Sequence, residues 1–145
     1  MLRKGNFMKQ LSQFLLVGVL SSLTQVALAS HDKVYCNVIA NFKLGDLGTS
    51  SIGFAGEYRP GSNAIIRDKL FNLNGVFGSL SVFGDLNFDS SDRYFQTVLE
   101  LPSGTSSSTT DPEFLIGDSK NILTISGNQI DPRVRNLIVS CFIYE

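Results

Sequence analysis

Tryptophan is absent from this chain of 145 residues, histidine occurs once and cysteine only twice. Each shortage closes off a class of chemistry. His31, the single histidine, stands beside the start expected for the exported domain, where chain ends fray. Ser-His-Asp and Cys-His nucleophile systems need an imidazole held within hydrogen-bond reach, and many zinc sites need paired histidines, so both classes are excluded. Without tryptophan the usual sugar-stacking platform is missing, and Tyr35, Tyr58, Tyr94 and Tyr144 are dispersed along the sequence. Two carboxylates alone can hydrolyse a glycoside, but only across a cleft, and the acids here fall mainly in turn-like segments with nothing to select a pair. Lys and Arg form no cluster, which argues against nucleic acid or an anionic membrane as partner. No asparagine begins an N-x-Ser/Thr acceptor for glycosylation.

The residues that are present at the start read as an export signal. Arg3, Lys4 and Lys9 give a positive segment, Phe14 to Leu23 an apolar one, and Ala27-Leu28-Ala29 before Ser30 the small-residue cleavage pattern. Met8 is an alternative start that gives a shorter, more typical positive segment. Ser21, Ser22, Thr24 and Gln25 interrupt the apolar run short of the ~20 residues a spanning helix needs. No cysteine follows the small residues, so no lipid anchor is expected. The reading is therefore residues 1–29 as a cleaved signal and 30–145 as one domain, with nine basic against thirteen acidic residues in it. A periplasmic or secreted location follows, with no stable membrane insertion after cleavage.

Both cysteines lie in that domain, Cys36 near its start and Cys141 near its end. In an oxidising compartment two cysteines pair by default. Such a bond joins the first strand to the last, and two cysteines with one distant histidine make a poor zinc site.

Beyond residue 30 the apolar period is close to two. Val34, Cys36, Val38, Ala40 and Phe42 alternate with more polar neighbours, as do Phe95, Thr97, Leu99 and Leu101, and Leu137, Val139, Cys141 and Ile143. Shorter strand-like runs are 51–58, 75–83, 85–88 and 121–126, with turn residues between them at Pro60-Gly61, Asn74-Gly75, Asp111-Pro112 and Asp131-Pro132. The expected fold is all-β: a small antiparallel sandwich or barrel of about 7–8 short strands. Residues 62–73 fit either a strand or a helix capped by Ser62, and the neighbouring strands favour a strand with Ile66 and Leu70 facing inward. Val76-Phe77-Gly78-Ser79-Leu80-Ser81 is echoed by Val82-Phe83-Gly84-Asp85-Leu86-Asn87. Two copies are too few for a solenoid, so a meander punctuated by glycine is expected. The Ser/Thr-rich stretch 102–113 has no apolar residue after Pro102 and is expected to be a flexible surface loop. The nine phenylalanines of the domain, among them Phe42, Phe54, Phe95 and Phe114, are expected to build the core.

One ligand motif is partly present. Asp85, Asn87 and Asp89 place oxygens at alternate positions, like the opening of a calcium loop, with Asp92 close behind. Ser90 stands where that loop has its turn glycine, and Gln96 where it has a bidentate Glu. Calcium on Asp85, Asn87, Asp89 and Asp92 is thus a weak candidate, set against a plain turn following a strand.

These readings favour a non-enzymatic binding or interaction domain of the bacterial envelope or exterior, its protein or cell-surface partner unidentified. Two alternatives are structural. Penultimate Tyr144 after an alternating final strand resembles the chaperone-recognised end of fimbrial pilins, which assemble by strand addition, although the glycine expected in a pilin's last strand is absent. A small outer-membrane β-barrel needs strands of ~9–11 residues with unbroken lipid-facing apolar rows, which this chain barely supplies.

Overall fold

A computed structural model describes residues 33–43 and 48–144, all within the second of the chain's two units, His31–Glu145. The signal segment 1–29, its cleavage site and His31 lie outside the described residues. Eight strands account for most of the rest: β1 Lys33–Phe42, β2 Thr49–Glu57, β3 Ala64–Leu73, β4 Val76–Asp85, β5 Tyr94–Leu101, β6 Gly104–Thr110, β7 Lys120–Ser126 and β8 Val134–Tyr144. Short 3-10 turns occupy Pro112–Leu115 and Gly127–Gln129.

The strands form two four-stranded sheets, ordered β2-β1-β8-β7 and β3-β4-β5-β6, and every laddered pair is antiparallel. Each strand lies beside its sequence neighbour, and β8 returns to pair with β1. Between β2 and β3, and between β6 and β7, the strands pack together without sharing a ladder. The result is a sandwich with the connectivity of an up-and-down barrel, unzipped along two seams. This settles the choice left open by the strand count.

Period-two alternation sets the core. Val34, Cys36, Val38 and Ala40 of β1 face Leu80 and Val82 of β4, Phe95 and Leu99 of β5 and Leu137, Val139, Cys141 and Ile143 of β8 in one fully buried cluster. Full burial of one such side chain contributes about 1.5–3 kcal/mol. The disulfide forms between Cys36 and Cys141, directly opposite each other in the β1–β8 ladder. It joins the first and last strands as the cysteine positions imply, and it points to an oxidising, extracytoplasmic environment.

Residues 62–73 contain strand β3 and no helix, but the facing expected from simple alternation is wrong beyond Ile66. Between Ile66 and Lys69 the β3–β4 ladder shifts register, with three steps on β3 matched to two on β4. Asp68 takes a left-handed backbone there (φ 46°), and Ser81 Oγ accepts its N–H and donates to its carboxylate, both at 3.0 Å. The extra residue is a β-bulge and reverses the faces. Phe71 and Leu73 are buried instead, while Leu70 is 79% exposed.

Most of the six-residue echo lies in one unbroken strand, Val76–Asp85, of the antiparallel meander β3-β4-β5-β6, and its glycines mark close approach: a Cβ on Gly78 would stand 2.6 Å from the Glu100 carbonyl oxygen. The turning is done next door, where Asn74 and Gly75, with φ of 50° and 90°, make the tight hairpin joining Leu73 to Val76.

The expected flexible loop 102–113 is mostly ordered strand. Gly104–Thr110 is β6, laddered to β5 from Leu101↔Gly104 to Phe95↔Thr110. Backbone hydrogen bonds hold this edge strand, so it needs few apolar side chains. Its half-buried row, Ser106, Ser108 and Thr110, is made of hydroxyl residues.

Candidate functional site

Past the end of β4 the chain turns from Asp85 to Asp92 and enters β5. Leu86 anchors this segment in the core, so its polar neighbours are left to organise the turn. Asp85 Oδ1 accepts the Tyr58 hydroxyl at 2.8 Å and the Asn87 N–H at 3.0 Å. Asn87 Oδ1 accepts the Asp89 N–H at 3.1 Å, and Ser90 Oγ accepts the Asp92 N–H at 3.2 Å. These are side chain-to-backbone turns of the kind Asn, Asp and Ser favour. Burial, followed by the hydrogen bond to Asp85 and the charge of that carboxylate, raises the Tyr58 phenol above its ordinary value of 10.0.

The four candidate calcium residues are thus brought into successive turns. Asp85, Asp89 and Asp92 do not converge: among the described residues no three His, Cys, Asp or Glu side chains form a group able to hold a metal ion. The turn following a strand is what the sequence becomes here.

Arg93 links this turn to the β6–β7 connection. Its guanidinium lies over the Phe88 ring, 5.7 Å from the centroid, and donates to the Phe88 carbonyl at 3.4 Å. On its other side it pairs with Asp111 at 3.3 Å and Glu113 at 2.7 Å. Asp111 in turn caps the 3-10 turn Pro112–Leu115 by accepting the Glu113 N–H at 3.0 Å. Pro112 and Leu115 are buried beneath it. Asp111 cap, Arg93 pairs and Leu115 anchor therefore brace one short turn from three sides.

That turn carries Phe114, 69% exposed, with Ile116 beyond it 36% exposed. Phe114 is not the core residue expected from its apolar neighbours. Leu115 between them takes the inward place, and the turn directs its neighbours outward.

Two other surfaces were not visible in the sequence. On the outer face of β3 and β4, exposed Leu70 and Phe77 (55%) border a shallow groove of about 350 Å³ that reaches Glu100 and Pro102. On the outer face of β1 and β8, Phe142 lies 5.5 Å from both Tyr35 and Tyr144, ring centre to ring centre. Two of the four scattered tyrosines are therefore joined in one aromatic row. The signal was the cysteine pair: Cys36 opposite Cys141 sets Tyr35 opposite Phe142 in an antiparallel ladder.

No protein-family model, curated protein or solved structure matches this chain.

Proposed function

We propose that the chain is an exported, non-enzymatic binding domain that recognises a protein or cell-surface partner through its outer surface. The observation that carries this reading is the set of large apolar side chains held outside a filled core. Leu70, Phe77 and Phe114 are more than half exposed, and each sits on a laddered strand or a braced turn. Burying such residues against a partner costs little ordering entropy, because the backbone that presents them is already fixed. Between the sheets the inward rows form one cluster of buried apolar residues.

The same arrangement bears on the structural alternatives. Inward rows are apolar and outward positions include Asn37, Gln96, Glu100 and Asn136, the reverse of the polar-in, apolar-out pattern of a membrane barrel. The final strand β8 is laddered on both sides, by β1 and β7, so strand addition to it has no free edge to use.

The test is capture of partners from envelope and host extracts by the folded, oxidised protein, with the reduced and unfolded protein as control. Specific, saturable binding to the folded form alone is expected. Absence of binding from every extract removes the reading.

A further inference from the structure

We infer that Phe114 is the anchor of the interface and that the partner is a cationic protein with an apolar slot; this rests on the binding reading above. Binding energy concentrates in a few large, preferably aromatic, side chains that enter a pocket from a rigid support. Of the exposed apolar side chains among the described residues, Phe114 alone sits on a turn fixed by a cap, a two-sided ion pair and a buried leucine. An exposed aromatic held by such a turn is buried most completely by a slot on the partner.

The charge around it selects the partner's sign. Six acids, Asp85, Asp89, Asp92, Asp111, Glu113 and Asp118, lie in segments 85–93 and 111–120, which Arg93 ties together; the bases there are Arg93 and Lys120. In the remainder of residues 30–145 acids and bases are equal in number, seven of each. The whole excess of negative charge in the domain therefore belongs to the segments that carry and flank Phe114. Arg93 is spent on Asp111 and Glu113, whereas Asp89 is exposed and the Asp118 side chain remains 81% exposed. Acidic segments that carry an apolar anchor, or are tied to its turn by Arg93, complement a basic surface with an apolar slot, and they speed encounter with such a surface at low salt. The Leu70–Phe77 groove has Arg67 and Lys69 on its bulged strand and Glu100 at its floor, and so carries no comparable sign.

The experiment uses the full oxidised protein, immobilised, and extracts divided by ion exchange into cationic and anionic fractions. The captured protein is purified and titrated against wild type, Phe114→Ala, Asp89→Asn/Asp118→Asn and Phe77→Ala. Because Phe114 and Phe77 are exposed, both alanine variants keep the wild-type melting temperature, which is checked first. Expected is a ligand from the cationic fraction, weakened ~30-fold or more by Phe114→Ala, on the order of tenfold by the charge-removing pair or by 300 mM salt, and less by Phe77→Ala than by Phe114→Ala. Binding that survives Phe114→Ala, or that comes only from the anionic fraction, overturns the inference while the binding reading stands. No ligand in either fraction overturns both.

Discussion

Cys36 and Cys141 face each other across a single rung of the β1–β8 ladder, their Cα atoms 4.1 Å apart. That spacing is closer to the ~4.5 Å of a non-hydrogen-bonded antiparallel pair than to the ~5.5 Å of a hydrogen-bonded one. The bond thus reinforces a rung the backbone has already set, inside a buried core. Replacing both cysteines by alanine is expected to keep the fold and lower stability by about 2–4 kcal/mol. Urea unfolding followed by circular dichroism measures this, and wild type in reductant should fall by a comparable amount.

Thr97 is fully buried between Val82 and Ser108 on the neighbouring strands, and its hydroxyl has no hydrogen-bond partner among the described residues. A buried hydroxyl without a partner costs stability, whereas valine fills nearly the same volume without that cost. Thr97→Val is expected to raise the unfolding free energy by about 1 kcal/mol. A loss of that size would mean the hydroxyl is satisfied in solution.

Asp131 shows how a local pair becomes a pH dependence. Its carboxylate accepts from the Arg133 guanidinium at 2.8 Å and from the Arg133 backbone N–H at 2.8 Å. The Arg133 side chain first, and its N–H second, lower the Asp131 pKa from 3.8 to about 2. A depressed folded value stabilises above the unfolded pKa and is lost as pH falls through the folded one. The difference in urea midpoint between wild type and Asp131→Asn should therefore be constant above about pH 5, shrink as pH falls through about 2 and vanish by about pH 1. A difference that persists at about pH 1 would assign the effect to the turn geometry instead of the charge.

For Asp85, Asn87, Asp89 and Asp92 the expected result is indifference to calcium. Oxygens of Asp85 and Asn87 already accept turn N–H groups, and the three acids do not gather around one point. Melting curves in millimolar calcium and in excess chelator should coincide. A rise in melting temperature with calcium that Asp85→Asn and Asp89→Asn abolish would restore the metal site.

How far the sequence could be read follows from what each segment relies on. β1, β5 and β8 face the core with every second residue, so alternation reveals them, and the cysteine pair even gives the register of β1 against β8. β6 relies on ladder hydrogen bonds, to which its Ser and Thr side chains contribute nothing, so an apolar pattern cannot reveal it. Alternation places Leu70 inward because it carries no record of a bulge, which the Asp68–Ser81 contact across strands holds. A strand-like run places Phe114 in the core for a similar reason: the cap and ion pairs that turn it outward come from Asp111 and from Arg93, 21 residues earlier in the chain. The candidate interface was legible only as a list of acids, because what assembles it is tertiary.

The order of the strands also sets an order of events. Every ladder except one joins strands that follow each other closely, so hairpins can form as soon as their own residues are available. The exception, β1 with β8, closes a loop of 105 residues and has to wait for the last segment of the chain. With two cysteines in all, no wrong intramolecular pairing exists, and a chain stopped short of Cys141 keeps Cys36 as a thiol. The disulfide can therefore form only after the last strand has reached the first.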